Sequence, residues 1–186
     1  MKFLYIAHNL TTPLGGAEIS SINLISALRS LGNMCLTISQ DNPNELKDIR
    51  KYKDVDIIIT HLGWTAYADQ VSKILNIPLV YMCHSYEHIC KYGGAPAITA
   101  HCDKICDRCP NKNRDFSPAL AIANSNFTNN MLTNEFGFET VTIYPSILFD
   151  NKSTISSRIG PSSMYRVSIS KGFDRLESIA KQFKDK

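Results

Sequence analysis

Residues 2–40 read KFLYIAHNLTTPLGGAEISSINLISALRSLGNMCLTISQ. The opening KFLYIAH (2–8) is a continuous apolar run of strand-forming residues, the pattern of a strand covered on both faces. A loop containing Pro13, Gly15 and Gly16 follows. From Ala17 to Gly32, Ile19, Ile22, Leu24, Ile25, Leu28 and Leu31 recur near helical spacing, and Gly32 supplies a stop signal. MCLTISQ (34–40) is a second apolar strand. Strand, helix and strand make one β-α-β unit, which implies a parallel pair joined by a right-handed crossover.

The alternation continues outward from this unit. PNELKDIRKY (43–52) reads as a short polar helix, VDIIITH (55–61) as a strand and WTAYADQVSKILN (64–76) as a helix. Strands follow at PLVYMCH (78–84), ALAIANS (119–125) and TVTIYPS (140–146), with a helix at NFTNNMLTNEFG (126–137) capped by Ser125 or Asn126. The expected fold is α/β, a doubly wound, Rossmann-like parallel sheet over residues 1–147. Residues 85–117 form a cysteine-rich insert in it, and the Ser-rich stretch 148–164 reads as a linker. Residues 165–186 carry an amphipathic helix with Phe173, Leu176, Ile179, Ala180 and Phe183 on its apolar side, the expected start of a second unit.

The bulk properties narrow the class. A chain of 186 residues with 44% apolar content suits one sizeable globular domain and is not a disordered polymer. The net charge of +3 is mild and no long basic run marks a nucleic-acid footprint. No segment approaches the roughly 20 apolar residues that span a bilayer. The N-terminal run ends in HNLTTP without a small-residue cleavage pattern, so it reads as a strand and not a signal peptide. A cytoplasmic location, where thiols stay reduced, is the expectation.

In a parallel sheet, ligands gather outside the carboxyl ends of the strands. Polar residues fall at those ends: His8 after the first strand, His61 after the third, His84 after the fourth, and Asn124 and Ser125 after the fifth. The loop TTPLGGAEIS places Gly15 and Gly16 at the start of the first helix, where free N–H groups favour anions. The spacing is neither G-x-G-x-x-G nor a P-loop, which argues against a dinucleotide enzyme. A plain turn and an anion cradle both fit the glycine pair.

HICKYGGAPAITAHCDKICDRCP (88–110) holds four of the six cysteines. Cys90, Cys102, Cys106 and Cys109 offer four thiolates, enough for a closed tetrahedral zinc site. Four reduced, unliganded cysteines are the alternative. The Cys-x3-Cys-x2-Cys spacing also occurs in radical enzymes using S-adenosylmethionine, but there it sits near the first strand of a barrel. Four cysteines leave no open coordination position, so a catalytic metal is not expected. Cys35 and Cys83 fall inside apolar strands and read as small buried residues.

The stretch KFLYIAHNLTTPLGGAEISSINLISALRSLG resembles the opening of family 4 glycosyltransferases of the GT-B fold. VDIIITHLGW, IPLVYMCHSY, LAIANSNFTNNML and VTIYPSI resemble the family's next blocks in the same order, over about residues 2–147. RVSISKGFDRLESIAKQF is similar to the start of the family's second Rossmann-like domain, and the cysteine stretch to an insert found in a subset of members. The resemblance implies a retaining transfer of a sugar from a nucleotide-diphosphate sugar to a saccharide or lipid-linked acceptor. Gly15, Gly16, Arg166 and Lys171 would hold the donor phosphates, and His84 would contact the sugar near the reacting centre. His8, Glu18, His61, Asn124 and Ser125 would line the acceptor cleft. The chain is then mainly the acceptor half and is expected to need a C-terminal domain or partner chain, with peripheral contact at the inner membrane face. A non-catalytic, zinc-stapled α/β interaction module derived from such an enzyme is the alternative.

Overall fold

The computed structural model describes residues 1–7, 10–11, 15–39, 48–61, 64–84 and 116–144, all within one compact unit. The chain order is β1 (Lys2–Ala7), α1 (Gly16–Ser30), β2 (Met34–Ser39), a 3-10 turn (Ile49–Tyr52), β3 (Ile57–His61), α2 (Thr65–Leu75), β4 (Leu79–Cys83), β5 (Leu120–Ala123), α3 (Asn126–Phe136) and β6 (Thr140–Thr142). Among the described residues six strands pair in the order β2-β1-β3-β4-β5-β6, and every pairing is parallel. The sheet is therefore α/β, doubly wound and Rossmann-like. From β1 the chain runs outward to β2 and then returns to β3 on the opposite side, so the order reverses between β1 and β3. Crevices for ligands open at such reversals.

Strand residues alternate between two separate cores. On one face Leu4, Ile6, Ile58 and Tyr81 pack with Ala68 and Val71 of α2 and Leu132 of α3. On the other, Phe3, Tyr5, Ala7, Cys35 and Ile59 pack against Ile25, Leu24 and Leu28 of α1. Each fully buried side chain of this size contributes about 1.5–3 kcal/mol of transfer free energy, and both faces are needed to offset the entropy of ordering the strands.

Helix ends follow local chemistry. Behind α1, Gly32 takes a positive φ of 80° and the Asn33 N–H reaches back to the Leu28 carbonyl at 3.1 Å. Asn76 (φ 54°) and Gly137 (φ 69°) close α2 and α3 in the same left-handed conformation. The α3 N-cap is Ser125, whose Oγ accepts from the Thr128 N–H at 3.2 Å.

Several boundaries differ from the sequence reading. The strand expected from Val55 begins at Ile57, because the Val55 N–H turns back to the Tyr52 carbonyl. Asp56 then clamps the start of β1, its Oδ2 accepting from the Lys2 N–H at 2.7 Å. The helix expected over 43–52 is described only as the 3-10 turn; residues 43–47 lie outside the described residues. On α1, Ile19 and Leu31 are exposed, and the core-facing set is Ser21, Leu24, Ile25 and Leu28. The linker 148–164, residues 85–115 of the insert and the segment 165–186 also lie outside the described residues, whereas Phe116 at the end of the insert is buried in the core.

Candidate functional site

Strand parity brings the polar strand ends to one face. Tyr5 pairs in register with Ile59, and Ile59 faces α1; two residues on, His61 faces α1 as well. His61 is in register with Met82, and Met82 with Ile122. His84 and Asn124 follow these two by one more strand repeat. With Ser20 and Asn23 of α1 they line a cavity of about 150 Å³, which Met82 and Tyr144 also border.

Behind the cavity lies a hydrogen-bonded cluster. Tyr5, Ser21 and His61 are each wholly buried. The Tyr5 hydroxyl donates to Ser21 Oγ at 2.8 Å, and the Ser21 hydroxyl donates to the Ala17 carbonyl one helical turn back at 2.8 Å. His61 Nδ1 lies 3.2 Å from Ser21 Oγ and 3.4 Å from the Tyr5 oxygen. Met82 Sδ sits 3.5 Å from the Tyr5 hydroxyl. Burial pushes the Tyr5 phenol well above its usual value, with the Ser21 hydrogen bond opposing, so the hydroxyl keeps its proton and remains a donor.

His84 stands between this cluster and the cavity. Its ring meets that of His61 edge to face, with centroids 5.7 Å apart and planes at 86°. Its Nε2 is buried without a hydrogen-bond partner among the described residues. Burial holds the His84 imidazole below the ordinary histidine range, and the Glu18 carboxylate offsets this only in part. Near neutral pH the ring is therefore uncharged, suited to exchanging a hydrogen bond with a neutral hydroxyl rather than pairing with an anion.

At the start of α1, the Gly15 N–H donates to Glu18 Oε2 at 2.8 Å. Glycine has no side chain to return the bond, so this is half of a capping box, and Glu18 already occupies the Gly15 donor. Gly16 is the freer position. A Cβ built there meets nothing within 4 Å, and its φ lies outside the left-handed region. Among the described residues, neither packing nor backbone strain requires a glycine at 16.

The remaining sequence candidates divide. Asn124 lines the cavity, its Oδ1 accepting from Thr128 Oγ1 at 2.8 Å. Ser125 caps α3, and His61 sits one layer behind the cavity wall. Cys35 and Cys83 are buried within their strands. His8, Cys90, Cys102, Cys106, Cys109, Arg166 and Lys171 lie outside the described residues. Sequence reading missed Tyr5 and Ser21. The available signals were a tyrosine inside a buried strand, whose hydroxyl must find a partner, and a serine at i−4 and i−7 from Ile25 and Leu28 on the core stripe of α1. No protein-family model matches the chain, and no curated protein matches it.

Proposed function

We propose that this domain is the acceptor-side half of a retaining glycosyltransferase that moves a sugar from a nucleotide-diphosphate donor to a saccharide or lipid-linked acceptor. The observation that carries the reading is His84: uncharged, with a buried Nε2 that has no partner among the described residues, at the wall of a cavity beyond the carboxyl ends of a parallel sheet. A sugar hydroxyl can both donate to and accept from such a nitrogen. The open space at Gly16, at the N-terminus of the neighbouring helix, supports close approach of the donor diphosphate.

In the reaction, the bond from the anomeric carbon to the diphosphate oxygen breaks while the acceptor oxygen bonds to the same face of that carbon. The acceptor proton passes to the departing diphosphate. His84 orients a sugar hydroxyl, and the N–H of Gly16 at the start of α1 offsets the growing negative charge. The protein supplies position and charge and no side-chain nucleophile.

Cys90, Cys102, Cys106 and Cys109 bind one structural zinc in this reading, checked by elemental analysis of protein purified without chelator. Among the described residues no helix is long and apolar enough to cross a membrane. The proposed setting is the cytoplasm, at the inner membrane face.

The test of the whole reading is titration of the chain with uridine- and guanosine-diphosphate sugars and with simple saccharides, followed through the imidazole resonances of His84. A saturable shift from at least one of them is expected. If His84 is unmoved by all of them at millimolar concentration, the reading fails.

A further inference from the structure

Ser21 Oγ is the hub of the cluster behind His84, and its proton count fixes what its neighbours must do. A serine hydroxyl has one proton and two lone pairs. The proton goes to the Ala17 carbonyl at 2.8 Å, and one lone pair accepts from the Tyr5 hydroxyl at 2.8 Å. The remaining lone pair faces His61 Nδ1 at 3.2 Å, and only a protonated Nδ1 satisfies it. Tyr5 has spent its own proton on Ser21, so its longer 3.4 Å approach to Nδ1 also fits a protonated nitrogen. The neutral tautomer of His61 that agrees with these partners carries its hydrogen on Nδ1 and its lone pair on Nε2.

From this arrangement we infer that His61 is a positioning residue: Ser21 fixes its tautomer and ring plane, and that ring in turn sets the orientation of His84 at the cavity wall. The two imidazoles meet at 86° with centroids 5.7 Å apart, within the range where edge-to-face rings direct one another. An imidazole has a different charge distribution in each tautomer. Moving the His61 proton from one nitrogen to the other therefore alters the surface presented to His84. His61 is anchored to α1 through Ser21 and to β1 through Tyr5, whereas His84 lies just past the end of β4 with its Nε2 uncommitted among the described residues. The anchored ring orients the free one.

Among the described residues, the titratable groups around His84 are Glu18 from α1 and His61 from β3, with Tyr5 of β1 behind His61, and Cys83 and Tyr144 at the same cavity. The inference rests on the reading of His84 as a ligand-contacting group, but its test needs no sugar and so fails or succeeds separately.

The experiment is long-range proton–nitrogen correlation spectroscopy of the full chain with labelled histidine, across a pH titration, on the wild type and four variants. In the wild type His61 is expected to carry its proton on Nδ1. Ser21→Ala is expected to move a substantial fraction of that proton to Nε2, and to shift both the His84 ring resonances and its titration midpoint. Ser21→Thr restores the hydroxyl and is expected to restore the wild-type pattern. Tyr5→Phe leaves Ser21 able to accept, so His61 is expected to keep its proton on Nδ1. His61→Asn retains a donor toward Ser21 but removes the ring, and is expected to move the His84 midpoint even if Ser21→Ala does not fold. A wild-type His61 protonated on Nε2 overturns the proposal. So does a His84 whose resonances and midpoint stay at wild-type values in Ser21→Ala or His61→Asn.

Discussion

Ser21→Ala should destabilise the protein more than Tyr5→Phe, although it removes only one oxygen from the end of a short side chain. In the wild type, Ser21 Oγ bonds Tyr5 and His61 from the sheet and Ala17 within its own helix, and all three cluster side chains are wholly buried. Without the hydroxyl, the Tyr5 O–H and His61 Nδ1 both lose their best partner. A buried polar group left unsatisfied costs about 1–3 kcal/mol, so two would cost about 2–6 kcal/mol. Two effects reduce this. Tyr5 and His61 are already 3.4 Å apart and can bond each other, leaving roughly one orphaned group. Alanine also has the better helix propensity, by about 0.5 kcal/mol. The net expectation is a loss of about 0.5–2.5 kcal/mol.

Tyr5→Phe removes one hydrogen bond without orphaning a donor. Ser21 keeps its acceptor role toward His61, so the expected loss is about 0.5–1.5 kcal/mol. Because the two side chains share one bond, the double variant should be less destabilised than the sum, by about 1 kcal/mol. Urea unfolding followed by circular dichroism, on the wild type, both single variants and the double, measures all three quantities. A Ser21→Ala protein as stable as the wild type, or a coupling energy of zero, would refute the hub assignment.

His84 gives a pH prediction whose sign can be worked through. Its folded pKa is lowered, so between that value and the unfolded value of about 6.5 the unfolded chain binds more protons, and stability rises with pH. The contribution is whole above about pH 6.5 and is lost as pH falls from there toward the folded value. In His84→Asn the slope of stability against pH in this window should flatten; an unchanged slope in parallel urea titrations contradicts the assignment. Gly16→Ala should raise the melting temperature, since alanine is favoured by up to about 1 kcal/mol within a helix and its Cβ meets nothing within 4 Å, while weakening binding of a nucleoside diphosphate. A melting temperature that falls would show that glycine at 16 serves the fold. Asn76, at φ 54°, should tolerate Gly with equal or greater stability and lose about 1–2 kcal/mol on substitution by Ala, read from the same unfolding curves.

The sheet was legible because its strands are short apolar runs separated by helical periodicity. KFLYIA and IIITH can satisfy both their backbone and their side chains only inside a two-sided core. The strand order was less legible, since periodicity does not say on which side of β1 the chain returns. Of the polar strand ends, His84 and Asn124 line the cavity, but the depth of His61 was not readable. His61 and His84 occupy equivalent sequence positions, at the end of an apolar strand before a loop. Yet α1 covers the first completely and leaves the second at a cavity. Burial at a strand end depends on which helix crosses it, a tertiary property with no local signature. Ile19 shows the same limit from the helix side. It lies on the apparent apolar stripe of α1 but is exposed, and Ser21, two residues later, takes the buried place.

That exchange explains why the site and the stability of α1 are one problem. A helix that wraps a sheet usually gains most from an unbroken apolar stripe. Here a serine interrupts the stripe at the point where Tyr5 and His61 emerge from β1 and β3, so α1 docks partly through a shared hydroxyl. Valine or alanine at 21 would make a more conventional stripe, and would leave two polar groups of the sheet without their common acceptor. The serine is therefore best understood from the far side of the sheet. Once Tyr5 and His61 are placed behind His84, some group on α1 must receive both, and a small hydroxyl already bonded to its own helix does so without adding charge to the core. It follows that random substitution at 21 will confound loss of fold with loss of site. Ser21→Thr, which keeps the hydroxyl, is the comparison that separates them.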